Sequence, residues 1–153
     1  MAEQQDGSPH RFQVAATWRG DGGGTGIIRP GGGAAPIAIG GATSLGGCGQ
    51  GTNPEELLLA AVGSCFVNTW AIFLAKLKVP YAEPAIAVSG LLEKDPAGGF
   101  RMASIDIAAK VPGELRAERR EDIAKTLQLA EKYCIVSKVA RASLPLTVRI
   151  EET

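Results

Sequence analysis

Three cysteines carry whatever covalent chemistry this sequence has: Cys48, Cys65 and Cys134. A cysteine can pack as a small apolar residue, bind metal as a thiolate, or attack an electrophile. The N-terminus, Met1 to His10, is polar and holds no apolar stretch of the kind a secretory signal needs. An odd number of cysteines behind such a start points to reduced thiols in the cytoplasm, not to a disulfide framework. No C-x-x-C pair is present and the single histidine, His10, falls in the polar start, so neither a metal site nor a Cys–His protease is expected. Cys48 sits in a glycine loop, Gly47-Cys48-Gly49. Cys65, in Val62-Gly63-Ser64-Cys65-Phe66, and Cys134, at the end of an apolar stripe, fit core packing better than reactivity by spacing alone.

The elements that must position these thiols read as one α+β domain. The chain has 153 residues, 45% hydrophobic and 21% charged, which is enough to bury a core. Its 16 basic and 16 acidic residues leave no net charge to favour nucleic acid or an anionic membrane. Residues 1–10 read as a disordered tail and 11–153 as a single domain. Phe12, Val14, Ala16 and Trp18 alternate with polar residues as in a half-buried strand, and short strands are expected at Thr25–Arg29 and Pro36–Ile39. Gly40–Gly51 reads as a loop. It matches neither a dinucleotide fingerprint nor a P-loop, so no cofactor is expected there.

Asn53-Pro54-Glu55-Glu56 is a helix start: a capping side chain, proline at the first helical position, then two acids at the positive dipole end. The helix is predicted to run to about Lys78, before Pro80. Nineteen uncharged residues separate Glu56 from Lys76, long enough to raise a membrane span. Gly63, Ser64, Asn68 and Thr69 interrupt that run, and a buried central helix surrounded by protein is the expectation. A hairpin pairs Ile86, Val88 and Leu92 with Phe100–Val111 across Asp95-Pro96-Ala97-Gly98-Gly99. Leu115–Tyr133 reads as one amphipathic helix with the stripe Ile123, Leu127, Ala130, Cys134, and Leu144, Leu146, Val148 and Ile150 alternate as a last strand.

Two segments resemble a known family. Gly51-Thr52-Asn53-Pro54-Glu55-Glu56-Leu57-Leu58, followed by Ser64-Cys65-Phe66, is similar to the signature of the OsmC/Ohr proteins, the osmotically inducible and organic hydroperoxide resistance proteins. Cys134-Ile135-Val136-Ser137-Lys138-Val139 resembles the family's second cysteine motif, and the order of elements fits from about Arg11 to Glu151. The resemblance implies antiparallel sheets around a long buried central helix in an intertwined homodimer. It also implies reduction of organic hydroperoxides, recycled by a dithiol, usually a dihydrolipoyl group on a lipoylated protein. Carried over by position, Cys65 is the peroxidatic thiol, Cys134 the resolving thiol, and Glu55 the acid that orients an activating arginine. In the Ohr branch that arginine lies where Trp18-Arg19-Gly20-Asp21-Gly22 places Arg19.

The chain departs from the pattern in two places. Ile135 stands where family members usually have proline, and Thr43–Gly51 lacks the arginine of the OsmC branch. Leu45-Gly46-Gly47 looks Ohr-like while Val136-Ser137 looks OsmC-like, so both branches stay open. The departures motivate a rival reading, a noncatalytic member of the same fold that binds a small molecule or partner.

Peroxide chemistry makes one demand of Cys65. A free thiol of pKa about 8.5 is only a few per cent thiolate at neutral pH, and burial raises the pKa further. A cation at about 4 Å supplies roughly 4 kcal/mol at an effective dielectric near 20. Arg19 is the first candidate, with Arg29, Arg101 and Arg141 behind it.

Overall fold

The computed structural model describes residues 8–151. The expected disordered tail over residues 1–10 therefore falls mostly outside the described residues. The chain divides into two compact units, residues 1–56 and 57–153.

In the first unit β1 (Val14–Arg19), β2 (Thr25–Pro30) and β3 (Ile37–Gly40) form an antiparallel sheet in that order. The β1–β2 turn requires glycine at its end, because a Cβ on Gly24 would meet the Arg19 carbonyl oxygen at 2.1 Å. All six residues of β1 are exposed, where the alternation predicts a half-buried strand. Among the described residues every hydrophobic residue of the buried core lies at or beyond Val62. The first unit therefore has the hydrogen-bond ladders of a sheet without an apolar interior of its own.

The central helix, α1, runs unbroken from Pro54 to Lys76. Asn53 Oδ1 accepts the Glu56 N–H at 2.8 Å, which is the cap read from the sequence. Lys78, at φ 54°, takes the left-handed conformation that ends the helix before Pro80. Val62, Phe66, Trp70 and Leu74 recur every fourth residue, and all four are buried. Trp70 ties this ridge to the rest of the core, donating through Nε1 to Thr126 Oγ1 at 3.0 Å and meeting Tyr81 edge-on at 5.6 Å. Within the single chain α1 is buried along this ridge. Leu58 and Ile72 are exposed, and 28% of the most apolar window of α1 is buried, although by length and composition the helix could cross a membrane.

The second sheet holds β4 (Ala85–Lys94), β5 (Phe100–Lys110) and β6 (Leu146–Glu151) in that order. The predicted hairpin pairs β4 with β5 antiparallel, but β6 lies parallel to β5. A parallel neighbour needs a crossover, and the helices between β5 and β6 supply it. A Cβ on Gly63 would lie 3.0 Å from Val88 Cγ2, so glycine lets α1 approach β4 closely.

The single helix expected over Leu115–Tyr133 is two, α2 (Gly113–Glu118) and α3 (Arg120–Tyr133). Arg119 leaves helical geometry at φ −126°, ψ 34°, and its guanidinium pairs with Asp122 at 2.7 Å. The break lets both Leu115 and Ile123 reach the core, although a regular helix would turn residues eight apart by about 80°. A further helix, α4 (Ile135–Arg141), follows without a loop.

Candidate active site

Cys65, Asn68, Thr69, Ile72, Phe73 and Lys76 share one face of α1, because spacings of three, four and seven return to the same side of a helix. That face, with Leu129 and Tyr133 of α3 and Ile135 of α4, lines a cleft of about 620 Å³. Its walls are mostly hydrocarbon and aromatic, with Phe73 and Tyr133 packed at 5.5 Å between ring centroids. Lys76 Nζ lies over the Phe73 ring at 5.4 Å.

Cys134 occupies the junction of α3 and α4. Its extended backbone (φ −63°, ψ 113°) ends one helix, and its sulfur caps the next by accepting the Ser137 N–H at 3.4 Å. Ser137 Oγ donates to the same sulfur at 3.0 Å, and both residues are fully buried. The apolar stripe located Cys134 correctly, but α4 was missed because cysteine is not a usual capping residue.

Cys65 and Cys134 carry free thiols within hydrogen-bond reach of each other. Burial raises the Cys65 pKa, but hydrogen bonds from the Val136 N–H, the Cys134 thiol, the Ile135 N–H and Thr69 outweigh it and bring Cys65 below the ordinary thiol range. Cys134 goes the other way. Burial pushes it up, the Ser137 hydroxyl and N–H pull it down, and the neighbouring Cys65 raises it again. The pair is thereby polarised: Cys65 is the more acidic thiol and Cys134 the one that donates to it.

The donors to Cys65 were not legible in the sequence, since two of them are backbone groups of the unpredicted helix α4. The proline departure takes on a physical meaning here. Isoleucine at position 135 keeps an N–H that proline lacks. Ile135→Pro is expected to fold, because proline suits the first helical position and Cys134 already has the extended ψ that a following proline requires. Alkylation of Cys65 followed against pH should then shift toward alkaline pH, while Ile135→Val leaves the curve in place. An unshifted curve in the proline variant would show that the Ile135 N–H does not act on the sulfur.

The remaining candidates lie elsewhere or in the other unit. Arg101 pairs with Glu93 at 2.6 Å and Arg141 pairs with Glu131, and neither is among the groups that lower the Cys65 thiol. Arg19 and Arg29 border a cavity of about 480 Å³ on the first sheet. Glu55 is in the first turn of α1, and its Oε2 is buried without a hydrogen-bond partner among the described residues. Cys48 is exposed, donating to the Gly24 carbonyl at 3.3 Å. Among the described residues no cluster of three metal-ligating side chains occurs.

Fold and site together define an α+β protein with a paired, polarised dithiol beneath an apolar cleft. A family model described as OsmC-like protein matches residues 46–149. An organic hydroperoxide resistance protein-like 1 of Staphylococcus epidermidis is 37% identical over 103 residues, covering 67% of this chain and 71% of that one. The same fold occurs in an organic hydroperoxide resistance protein OsmC of Legionella pneumophila, with TM-score 0.72, 20% identity, and 94% and 100% of the two chains covered. It occurs again in the organic hydroperoxide resistance protein OhrB of Bacillus subtilis, with TM-score 0.66, 24% identity, and 92% and 98% covered. The chain belongs to the OsmC-like family, and it has relatives named for organic hydroperoxide resistance.

Proposed function

We propose that this protein is a cytoplasmic, cysteine-based peroxidase that reduces organic hydroperoxides to alcohols. The observation that carries the reading is the polarised pair: a Cys65 thiol held below its ordinary range in an apolar cleft, with Cys134 within reach. The Cys65 thiolate attacks the distal peroxide oxygen, the O–O bond breaks, and the alkoxide leaves as alcohol after taking a proton. Cys65 becomes a sulfenic acid, and Cys134 condenses with it to a disulfide with loss of water. A dithiol, in our reading a lipoylated protein, reduces the disulfide by exchange. The hydrocarbon walls of the cleft favour an alkyl-bearing peroxide over hydrogen peroxide.

Residues 11–153 act as one OsmC/Ohr-like domain in this reading, since the first unit has no apolar core to fold upon. The chain works as a homodimer, with a second copy covering the exposed face of β1 and the exposed part of α1 outside the cleft mouth. Phe12, 92% exposed, and Val14, 71% exposed, support that cover. Glu55 and Arg19 complete the thiolate environment in the dimer. On the unbroken α1, Glu55 lies ten residues before Cys65, about 15 Å along the axis and about 80° around it, so it serves the partner's thiol. A chain that sediments as a monomer at working concentration would remove the shared site from the account.

Single-turnover consumption of cumene hydroperoxide against pH tests the reading. The rate should rise as Cys65 ionises, and the rise should come at lower pH than for an ordinary thiol, because hydrogen bonding lowers the Cys65 pKa. A protein that consumes no hydroperoxide at any pH is not a peroxidase.

A further inference from the structure

The return half of the cycle can run in two directions, because an incoming thiol can attack either sulfur of a Cys65–Cys134 disulfide. We infer that the reductant attacks Cys65, that Cys134 is the leaving sulfur, and that Ser137 is a positioning residue which holds that sulfur and stabilises it as it leaves. The inference rests on the disulfide of the proposed function.

Access sets the direction. Cys134 is 0% exposed, and exchange needs a third sulfur in line with the bond being broken. Cys65 faces the cleft, where such an approach is open. Access here opposes leaving-group strength, since Cys65 at rest is the more acidic thiol of the two and would be the better leaving group. Ser137 offsets that handicap. Its hydroxyl and N–H both donate to Cys134 Sγ, at 3.0 and 3.4 Å, and both residues are fully buried. Burial raises Cys134, but the further rise due to Cys65 disappears once Cys65 is bonded to the reductant. The two Ser137 donors then act on the departing thiolate unopposed by a neighbouring charge.

The step balances. A thiolate of the dithiol bonds to Cys65 Sγ, the Cys65–Cys134 bond breaks, and its electron pair leaves on Cys134, which takes up a proton. The second thiol of the reductant attacks the reductant's own sulfur in the mixed disulfide. Cys65 leaves as a thiolate, and the dithiol is oxidised by the two electrons that the protein disulfide has gained.

The test begins from wild-type protein oxidised with diamide, so that no peroxidase step is needed. A brief pulse of 2-mercaptoethanol, quenched with excess N-ethylmaleimide and mapped by peptide mass, should place the mercaptoethanol on Cys65 and the maleimide on Cys134. The reverse placement, or failure of diamide to join the two cysteines, overturns the inference. In Ser137→Ala, reduction of the diamide-formed disulfide by dithiothreitol should slow about three- to tenfold through the poorer leaving group. Reaction of the reduced variant with cumene hydroperoxide should slow far less, and Ser137→Thr, which keeps the hydroxyl, should recover the exchange rate. Equal slowing of both steps, or of neither, would make Ser137 only a packing residue. Diamide-formed disulfide that exchanges as described in a protein inert to hydroperoxide would remove the peroxidase and leave the exchange direction standing.

Discussion

Cys65→Ser is expected to lose hydroperoxide reduction by about a thousandfold or more while the protein stays folded. The serine hydroxyl is not ionised near neutral pH, so the variant keeps the shape of the nucleophile and loses the nucleophile. The cleft should tolerate the change. Cys65 is only partly buried, and a hydroxyl oxygen can accept from the Ile135 and Val136 N–H groups in place of the sulfur. Unfolding free energy should therefore fall by no more than about 1 kcal/mol. Turnover of cumene hydroperoxide at a wild-type rate by folded Cys65→Ser would end the assignment of Cys65 as the attacking group.

Cys134→Ser should react once with peroxide and then stall. Serine is a preferred helix cap, so it can accept the Ser137 N–H at the start of α4 as the sulfur does. The substitution thus isolates chemistry from folding. Without the thiol, the Cys65 sulfenic acid loses its partner at the cleft and should collect a second oxygen as sulfinic acid under excess peroxide. A well-placed intramolecular thiol exceeds the effective concentration of any free dithiol, so steady turnover should drop by about tenfold or more. Mass spectra of the treated variant check this directly. A variant that cycles normally, with Cys65 never overoxidised, would reduce Cys134 to a core residue.

Local rules made much of the scaffold legible. The Asn53 cap, the hairpin turn at Asp95–Gly99 and the stripe of Ile123, Leu127 and Ala130 are each written in a few neighbouring residues, and each is found where the spacing puts it. The parallel pairing of β6 was not, because it depends on a crossover of some thirty-five residues (Val111–Pro145) between partners. The break at Arg119 interrupts a pattern whose periodicity reads as continuous on both sides. Within the site, the two candidate cysteines were marked by motif, whereas the groups that polarise them were not. The Ile135 and Val136 N–H groups have no side-chain signature, and Ser137 gains its role only because Cys134 caps α4. The cation expected beside Cys65 is not among the causes that lower its thiol. Backbone donors, which composition cannot display, do that work within the chain.

One measurement bears most directly on the central claim that Cys65 and Cys134 form a redox pair. Reduced wild-type protein is treated with one equivalent of cumene hydroperoxide, alkylated, digested and mapped. The account predicts that two of the three thiols are lost, with Cys65 and Cys134 joined in one disulfide-linked peptide pair and Cys48 alkylated. Three alkylated cysteines, or a disulfide that includes Cys48, would contradict it.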